Sequence, residues 1–546
     1  MRILFLARRY TDFRNFDSVV RGLTARGHHV HLAAERENTE GTLVVERLAA
    51  ECPTLTYGEA PPREADEWAW VASRLRRGIE HLRYQDRMFE GTPKLRDRSR
   101  ERTPGAFVAL GEGVRRYASW TRRPVSAVLQ WLERALPESP AVHAFLADHR
   151  PDVVLITPLI GLGSSQVDYL RAARSRGVPA ALCVWSWDHL SSKALIRDLP
   201  DLVFVWNDTQ KREAMSLHRV PESRIAVTGA QCFDKWFDRK PSRDAEAFRR
   251  HIGLPPDRPF ILYVCSAPFI GSQPEAPFVV DWIGRIRASS HPHLRDVPIL
   301  VRPHPSRRRE WDGIGLRRVR DVAIHGSAPI DETSRTDYFD SLYHSAVVVG
   351  LNTSAFIEAA IIGRPVHTLL LPEWHENQLG TVHFRYLFEA GGGLLTSADG
   401  YDEHFRQLDA ALAEPRTDVR SFVRAFVRPH GLDVAATPLF VERVERLHQH
   451  PVAASRTPFL LGLARRILTS ATAWRDDVGK EEWVYSEREL DTVRRMRAAH
   501  EIKAARRRER KKGRIAEKAV RETVRQAELR EHRAAKKGHA PGHQTS

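Results

Sequence analysis

The sequence predicts an α/β protein made of two doubly wound parallel sheets, and three observations point to it. Short apolar runs rich in β-branched residues recur along the chain, as in Leu202–Trp206 and Ala346–Gly350, and such runs suit strands buried on both faces. Between them lie segments with helical spacing, several closed by a glycine, as at Gly27, Gly177 and Gly363. The alternation comes in two blocks, parted by a polar, proline-punctuated stretch from Lys235 to Pro259.

The first block opens on the strand MRILFLA, whose apolar run before Arg8 and Arg9 is too short for a signal peptide. A helix over Asp17–Arg26 and a strand over His29–Ala34 follow. From Glu59 to Pro140 the alternation stops and Arg, Glu and Trp dominate. Helical periodicity runs through Trp68–Arg83 and Val125–Leu136, and the polar stretch GTPKLRDRSRERTPG between them reads as a mobile linker. The region is a helical insertion. Its Trp120, Arg122 and Arg123 suit an anionic lipid surface, and a packed hairpin with a solvated basic face is the competing reading. Alternation resumes with the strand in DVVLITP, the helix Gln166–Arg176 and the strand Val178–Val184. Leu202–Trp206, the helix Thr209–His218 and the strand Ile225–Thr228 complete the block.

The second block runs through a strand at Phe260–Val264, a helix around Phe278–Ser289 and a strand at Pro298–Val301. Ser345–Leu371 then reads as strand, tight loop, short helix, glycine stop and strand. Asn352, Thr353 and Ser354 are helix-capping types, Ala355–Ile362 has helical spacing, and Pro365 blocks continuation. Free N–H groups at such a helix start, on the carboxyl edge of a parallel sheet, suit phosphate, and Glu358 one turn on suits a ribose. The alternative is a plain crossover with a solvent-facing Glu358. Expected boundaries are 1–240 for the first domain, with the insertion over about 59–140, 256–450 for the second, and 451–546 for an amphipathic segment and basic tail.

Composition narrows the function. At 546 residues, 42% of them hydrophobic, the chain can bury two or three cores. Four cysteines with no CxxC pair fit a reducing, cytoplasmic setting and not a cysteine-bound metal. No stretch approaches the ~20 apolar residues of a membrane span, so membrane contact is expected to be peripheral, at the inner face. The charge of +16 is uneven: Val493–Ser546 holds 18 Lys and Arg against 6 Asp and Glu, a net +12. Glu487–Lys537 reads as one long charged helix. Without aromatics in it, base stacking on nucleic acid is not favoured, and a solvated helix or an anionic partner remain.

The chemistry-bearing motifs are VWSWDHLSSK over Val184–Lys193, VTGAQCFDKWF, LVRPHPS and NTSAFIEAAIIGRPV. The opening with RGHHVHLAAE resembles the N-terminal domain of GT-B glycosyltransferases. The later motifs, in order and spacing over about residues 150–445, resemble the superfamily of teichoic-acid glycerophosphotransferases and capsule or surface-polysaccharide transferases. The family pattern falls on Trp187 and Lys193, on Thr228, Gly229 and Asp234, on Arg302–Pro305, and on Asn352–Glu358. Two departures stand out. Asp188, with His189 beside it, replaces the His that acts as base in the glycerophosphotransferases, and Gln231 and Cys232 replace a Pro-Arg pair.

The resemblance implies two Rossmann-like domains facing a cleft, a GT-B architecture. It implies a metal-independent glycosyltransferase of bacterial cell-envelope polysaccharide synthesis, using a nucleotide-sugar co-substrate and no resident cofactor. The acceptor is expected to be a cell-surface glycan or a lipid-linked precursor. An Asp base suits inverting transfer, with Asp188 and His189 catalytic. His304, stiffened between two prolines, donates to the donor phosphate and Arg302 adds charge. Thr353, Ser354, Thr228 and Gly229 bind donor phosphate and Glu358 the ribose. No metal ligand set is expected, because HExxH fails in PEWHENQLGTVHF at Leu379. The alternatives are a CDP-polyol phosphotransferase, a nucleotide-sugar 2-epimerase, or a non-catalytic core whose tail binds nucleic acid or membrane.

Overall fold

The computed structural model describes residues 1–36, 39–63, 68–268, 273–414 and 418–449, with short pieces at 464–466, 468–469, 485–492 and 495. Seven strands form the first sheet: β1 (Arg2–Arg9), β2 (His29–Arg36), β3 (Leu55–Glu59), β4 (Val153–Ile156), β5 (Ala180–Cys183), β6 (Leu202–Val205) and β7 (Ile225–Val227). They lie in the order β3-β2-β1-β4-β5-β6-β7, every pair parallel. Helices cover both faces, so β4 and β5 are buried at every position. Six strands form the second sheet: β8 (Ile261–Val264), β9 (Ile299–Arg302), β10 (Val322–Ile324), β11 (Val347–Val349), β12 (Val366–Leu369) and β13 (Leu395–Ala398). Their order is β10-β9-β8-β11-β12-β13, again all parallel.

Strand order reverses between β1 and β4 in one sheet and between β8 and β11 in the other. At such a switch point neighbouring loops part and leave a crevice at the carboxyl edge. The turn Tyr10–Asn15, the loop after β8 and the Asn352–Ser354 loop after β11 all start there. The helix Ala436–His448 crosses back onto the first domain, where Phe440 stacks on Phe204 at 4.0 Å. Asp234 accepts that helix's opening N–H groups, from Ala436 at 2.9 Å and Thr437 at 2.7 Å. Two doubly wound sheets facing a cleft, clasped by a returning helix, make a GT-B-like α/β fold.

The edge strands β3, β10 and β13 are not legible in the sequence. Each is partly exposed, so its apolar run is diluted by residues such as Thr56, Glu59 and Ser397. Between β3 and β4 the insertion consists of helices Ala69–Tyr84, Pro93–Arg102, Gly105–Tyr117 and Arg122–Ala135. The segment expected to be a mobile linker is a helix, because Pro93 occupies its first turn, where a missing N–H costs nothing. Gly78 lets the Phe107 ring lie against the helix backbone, since a Cβ there would stand 2.5 Å from that ring. Buried ion pairs fasten the insertion to the first domain. Arg76 meets Glu133 at 2.8 Å and Asp168 at 2.7 Å, and Arg197 meets Glu80 at 3.1 Å and Glu133 at 3.2 Å. The expected long basic helix lies outside the described residues, apart from 487–492 and 495.

Candidate active site

The second domain's wall of the cleft is built at the ends of β9 and β11. His304 follows β9 between Pro303 and Pro305, and its Nδ1 accepts from the Ser306 N–H at 3.2 Å. That bond leaves the proton on Nε2, so the half-buried ring presents a donor. Burial, helped by Arg307 and Arg14, lowers its pKa and keeps it neutral. Arg302, at the end of β9, is only 4% exposed. Its Nη1 donates to Asp337 at 2.9 Å and to Ser341 at 2.7 Å, and the guanidinium lies 5.0 Å from the Tyr338 ring centre. Gly326 makes room for it: a Cβ there would stand 2.5 Å from the Arg302 guanidinium carbon. The Tyr338 hydroxyl donates to Glu358, whose carboxyl burial pushes up to about 7 against the pull of Tyr338, Arg14 and Lys235. Thr353 accepts from the Ala355 N–H at 3.3 Å and Ser354 is exposed at the start of the helix Ala355–Ile361. Asn352 ties the same loop to Ser266 and Asn377.

The opposite wall is basic. Arg14, in the turn after β1, is within electrostatic reach of both Glu358 and His304. Arg335 of the second domain has its pKa lowered by burial; Arg47 and Arg14 add repulsion, which Asp17 and Glu332 partly offset. Arg47, on the helix Thr39–Glu51, has Nε and Nη2 buried without a hydrogen-bond partner among the described residues. Arg14 and Arg47 of the first domain are thus within electrostatic reach of Arg335 of the second, with Asp17 and Glu332 as counter-charges. Asp12 shares the turn with Arg14; its Oδ2 accepts from the Arg9 N–H at 3.1 Å, and burial raises its pKa against Arg9, Arg14 and Arg8. Sequence reading missed Asp12, although a carboxylate directly after the first strand was the available signal.

Four expected site residues lie elsewhere or are otherwise engaged. His189 is fully buried: Nδ1 accepts from the Trp185 N–H at 3.3 Å, Nε2 sits 2.9 Å from the Pro158 carbonyl, and desolvation pushes it down to about 3. It holds the loop from inside. Asp188 is bound by Lys193 at 2.8 Å, Ser192 at 2.7 Å and Ser186 at 2.5 Å. Burial favours its acid form, but Lys193, His383 and these hydroxyls outweigh that and hold the carboxyl far below its usual range, which makes it a weak proton acceptor. Its neighbour Trp187 packs edge-on against His383 of the second domain, at 4.6 Å, so this strand end is a domain seam. Thr228 is buried under the β6 end, and Gly229, at φ +92°, faces Ala436 and the Val427 carbonyl. They form the turn that receives the returning chain, on the first domain rather than the donor wall.

A cavity of about 900 Å³ opens beside Pro303, lined among others by Arg243, Arg308, His325 and Ser327. Within it His251, His325 and Asp337 bring three donor atoms within 4.8 Å of one another, a grouping their sequence separation hides. Arg302 already balances Asp337, and Arg243 and Arg308 line the same space, so the surroundings favour an anion over a cation.

No protein-family model and no curated protein matches the chain. Among solved structures it is similar to a UDP-GlcNAc 2-epimerase from Methanocaldococcus jannaschii, in complex with UDP-GlcNAc and UDP, at 12% identity and TM-score 0.44, covering 82% of this chain and 99% of that one. A glycosyltransferase from Rickettsia africae is similar at 11% identity and TM-score 0.48, covering 82% and 98%. MurG from Acinetobacter baumannii is similar at 13% and 0.42, covering 82% and 99%. Likenesses at this level say nothing of this chain's reaction; its two parallel sheets and their switch points stand as its own evidence of architecture.

Proposed function

We propose that the chain is a GT-B glycosyltransferase that moves a sugar from a nucleotide donor to a hydroxyl of a cell-surface glycan or its lipid-linked precursor. The observation that carries this reading is the pairing on the second domain's wall of a His304 ring whose Nδ1 accepts from Ser306, leaving Nε2 as a donor, with the Tyr338-bound Glu358 carboxyl, while Arg14 of the first domain is within electrostatic reach of both. A diphosphate accepts from His304 and pairs with Arg14, and the ionised Glu358 accepts from ribose hydroxyls. Thr353 and Ser354 stand at the helix start beside them. Asp12 takes the acceptor proton as the acceptor oxygen bonds to the anomeric carbon and the bond to the diphosphate oxygen breaks, releasing a nucleoside diphosphate. Closure of the two domains excludes water, which otherwise hydrolyses the donor. The motif resemblance to capsule and teichoic-acid transferases supports an envelope acceptor.

Calorimetry with UDP, GDP, CDP, CMP and their sugar conjugates tests the site. One nucleoside diphosphate is expected to bind the wild type and to weaken about tenfold or more in His304→Ala and Glu358→Ala. Selective CMP binding points to polyol-phosphate transfer instead, and interconversion of a nucleotide sugar without acceptor points to epimerisation. Asp12→Asn is expected to abolish turnover while leaving nucleotide affinity unchanged. If Asp188→Asn alone stops turnover without loosening the seam, the base assignment is wrong.

A further inference from the structure

We infer that the elbow between the helices Gly105–Tyr117 and Arg122–Ala135 docks the protein on an anionic lipid bilayer. Among the described residues, no helix is long and apolar enough to cross a membrane. Yet large apolar side chains stand out of this elbow: Trp120 is 80% exposed, Tyr117 77%, Val128 54%, and Met88 beside it 50%. Trp and Tyr are the side chains that settle at a headgroup boundary, because each joins an apolar ring to a hydrogen-bonding group. A packed hairpin with a solvated basic face does not need them at its tip.

Charge identifies the occupant. From Val114 to Gln130 the chain carries Arg115, Arg116, Arg122 and Arg123 and no Asp or Glu. Arg122 is paired with Asp86, while Arg115, Arg116 and Arg123 are exposed around the two aromatics. Arg116 lies 5.3 Å from the Tyr117 ring centre. Rings flanked by unshielded guanidiniums match a layer of anionic headgroups over apolar chains.

The elbow is also held rigidly against the cleft. Its packing partner, the helix Ala69–Tyr84, donates from the Tyr84 hydroxyl to the Lys193 carbonyl at 2.9 Å, and Glu80 on it accepts from the Leu195 N–H. Lys94, on the next helix, reaches Asn377 of the second domain at 2.6 Å. Docking there brings both cleft walls close to the bilayer. The inference stands on the hairpin and not on the transfer reading, so vesicle binding and nucleotide binding fail independently.

Vesicle sedimentation of the full chain tests it, using phosphatidylglycerol–phosphatidylcholine vesicles and pure phosphatidylcholine, with hydrogen exchange to locate the contact. The expected result is binding to the anionic vesicles, with exchange slowed over 115–123. Tyr117→Ala with Trp120→Ala is expected to weaken binding about tenfold. Each of Arg115, Arg116 and Arg123 changed to Ser is expected to cost about fivefold. These side chains are exposed, so melting temperatures should not move. Binding that survives both sets of changes with protection confined to 493–546 overturns the inference, because the tail then carries it. So does equal binding to pure phosphatidylcholine, or protection over 115–123 that arises without lipid and tracks dimer mass.

Discussion

Two clusters of buried charge, one under the insertion and one in the cleft, are built from the same residue types and differ in how they are balanced. Under the insertion, burial pushes the Glu133 carboxyl up, but Arg197, Arg171 and Arg76 together bring it down to about 2. Asp168 is lowered in the same way by Arg76 and Arg63. In the cleft, Glu358 has a phenol beside it and only more distant cations, so burial wins and the carboxyl rises to about 7. Arg335 has both guanidiniums, Arg47 and Arg14, and carboxylates, Asp17 and Glu332, within electrostatic reach. A cluster whose charges close on themselves is a fastening. One whose carboxyl is raised by burial with no cation in contact is a candidate for binding.

Breaking the closed cluster should have the largest effect. Glu133→Ala leaves Arg76 and Arg197 buried without their shared carboxylate, and the loss of one partner of a buried pair costs about 3–5 kcal/mol. Urea unfolding should show that loss as an early transition. A change under about 1 kcal/mol would mean that Asp168 and Glu80 absorb the charge and the cluster is not a unit. The open cluster should behave in the opposite way. Removing the His304 donor to a charged phosphate costs about 1.5–3 kcal/mol of nucleotide affinity. Thermal unfolding without ligand should fall by no more than the loss of the Nδ1 cap on the Ser306 N–H, about 1 kcal/mol. The clasp between the domains comes next: Asp234→Ala removes the cap of the returning helix and the partner of Arg428, for about 1–2 kcal/mol. A differential scan should show the two domains separating into distinct transitions.

The same contrast explains what the sequence reveals. Interior strands such as β4 and β11 are apolar at every position and stand out, and the loop–helix unit Asn352–Glu358 shows itself through capping residues and a glycine stop. Edge strands such as β10 are half-exposed and blend with loops. The stiffened loop around His304 was legible because its prolines are local. The partners of Asp188 and His189 were not legible, because Lys193, Pro158 and His383 engage them, two of these far along the chain. The charged cluster was hidden for the same reason: Arg14, Arg47 and Arg335 come within electrostatic reach only once both domains are folded. Spacing reports what a residue can do; balance of charge depends on partners that spacing does not show.

The smallest effect is also the one most specific to the open cluster. Glu358 titrates near 7 in the folded protein and at an ordinary 4.5 when unfolded. The folded state therefore holds its proton more tightly. That stability is fully present below about pH 4.5 and is lost as pH rises through about 7. Glu358→Gln fixes the protonated form, so the variant and wild type should be equally stable at pH 4 and diverge upward of 5. Above neutrality the variant should be the more stable by about 1 kcal/mol, once relaxation and water penetration around the ionised carboxylate are allowed for. Nucleotide affinity should move the other way, since only the ionised carboxylate accepts from both ribose hydroxyls. Wild-type affinity should climb between pH 6 and 8 while apo stability falls, and the Gln variant should show neither slope. Parallel slopes in both proteins would trace the titration to another group, and Glu358 would then join the balanced side of the comparison.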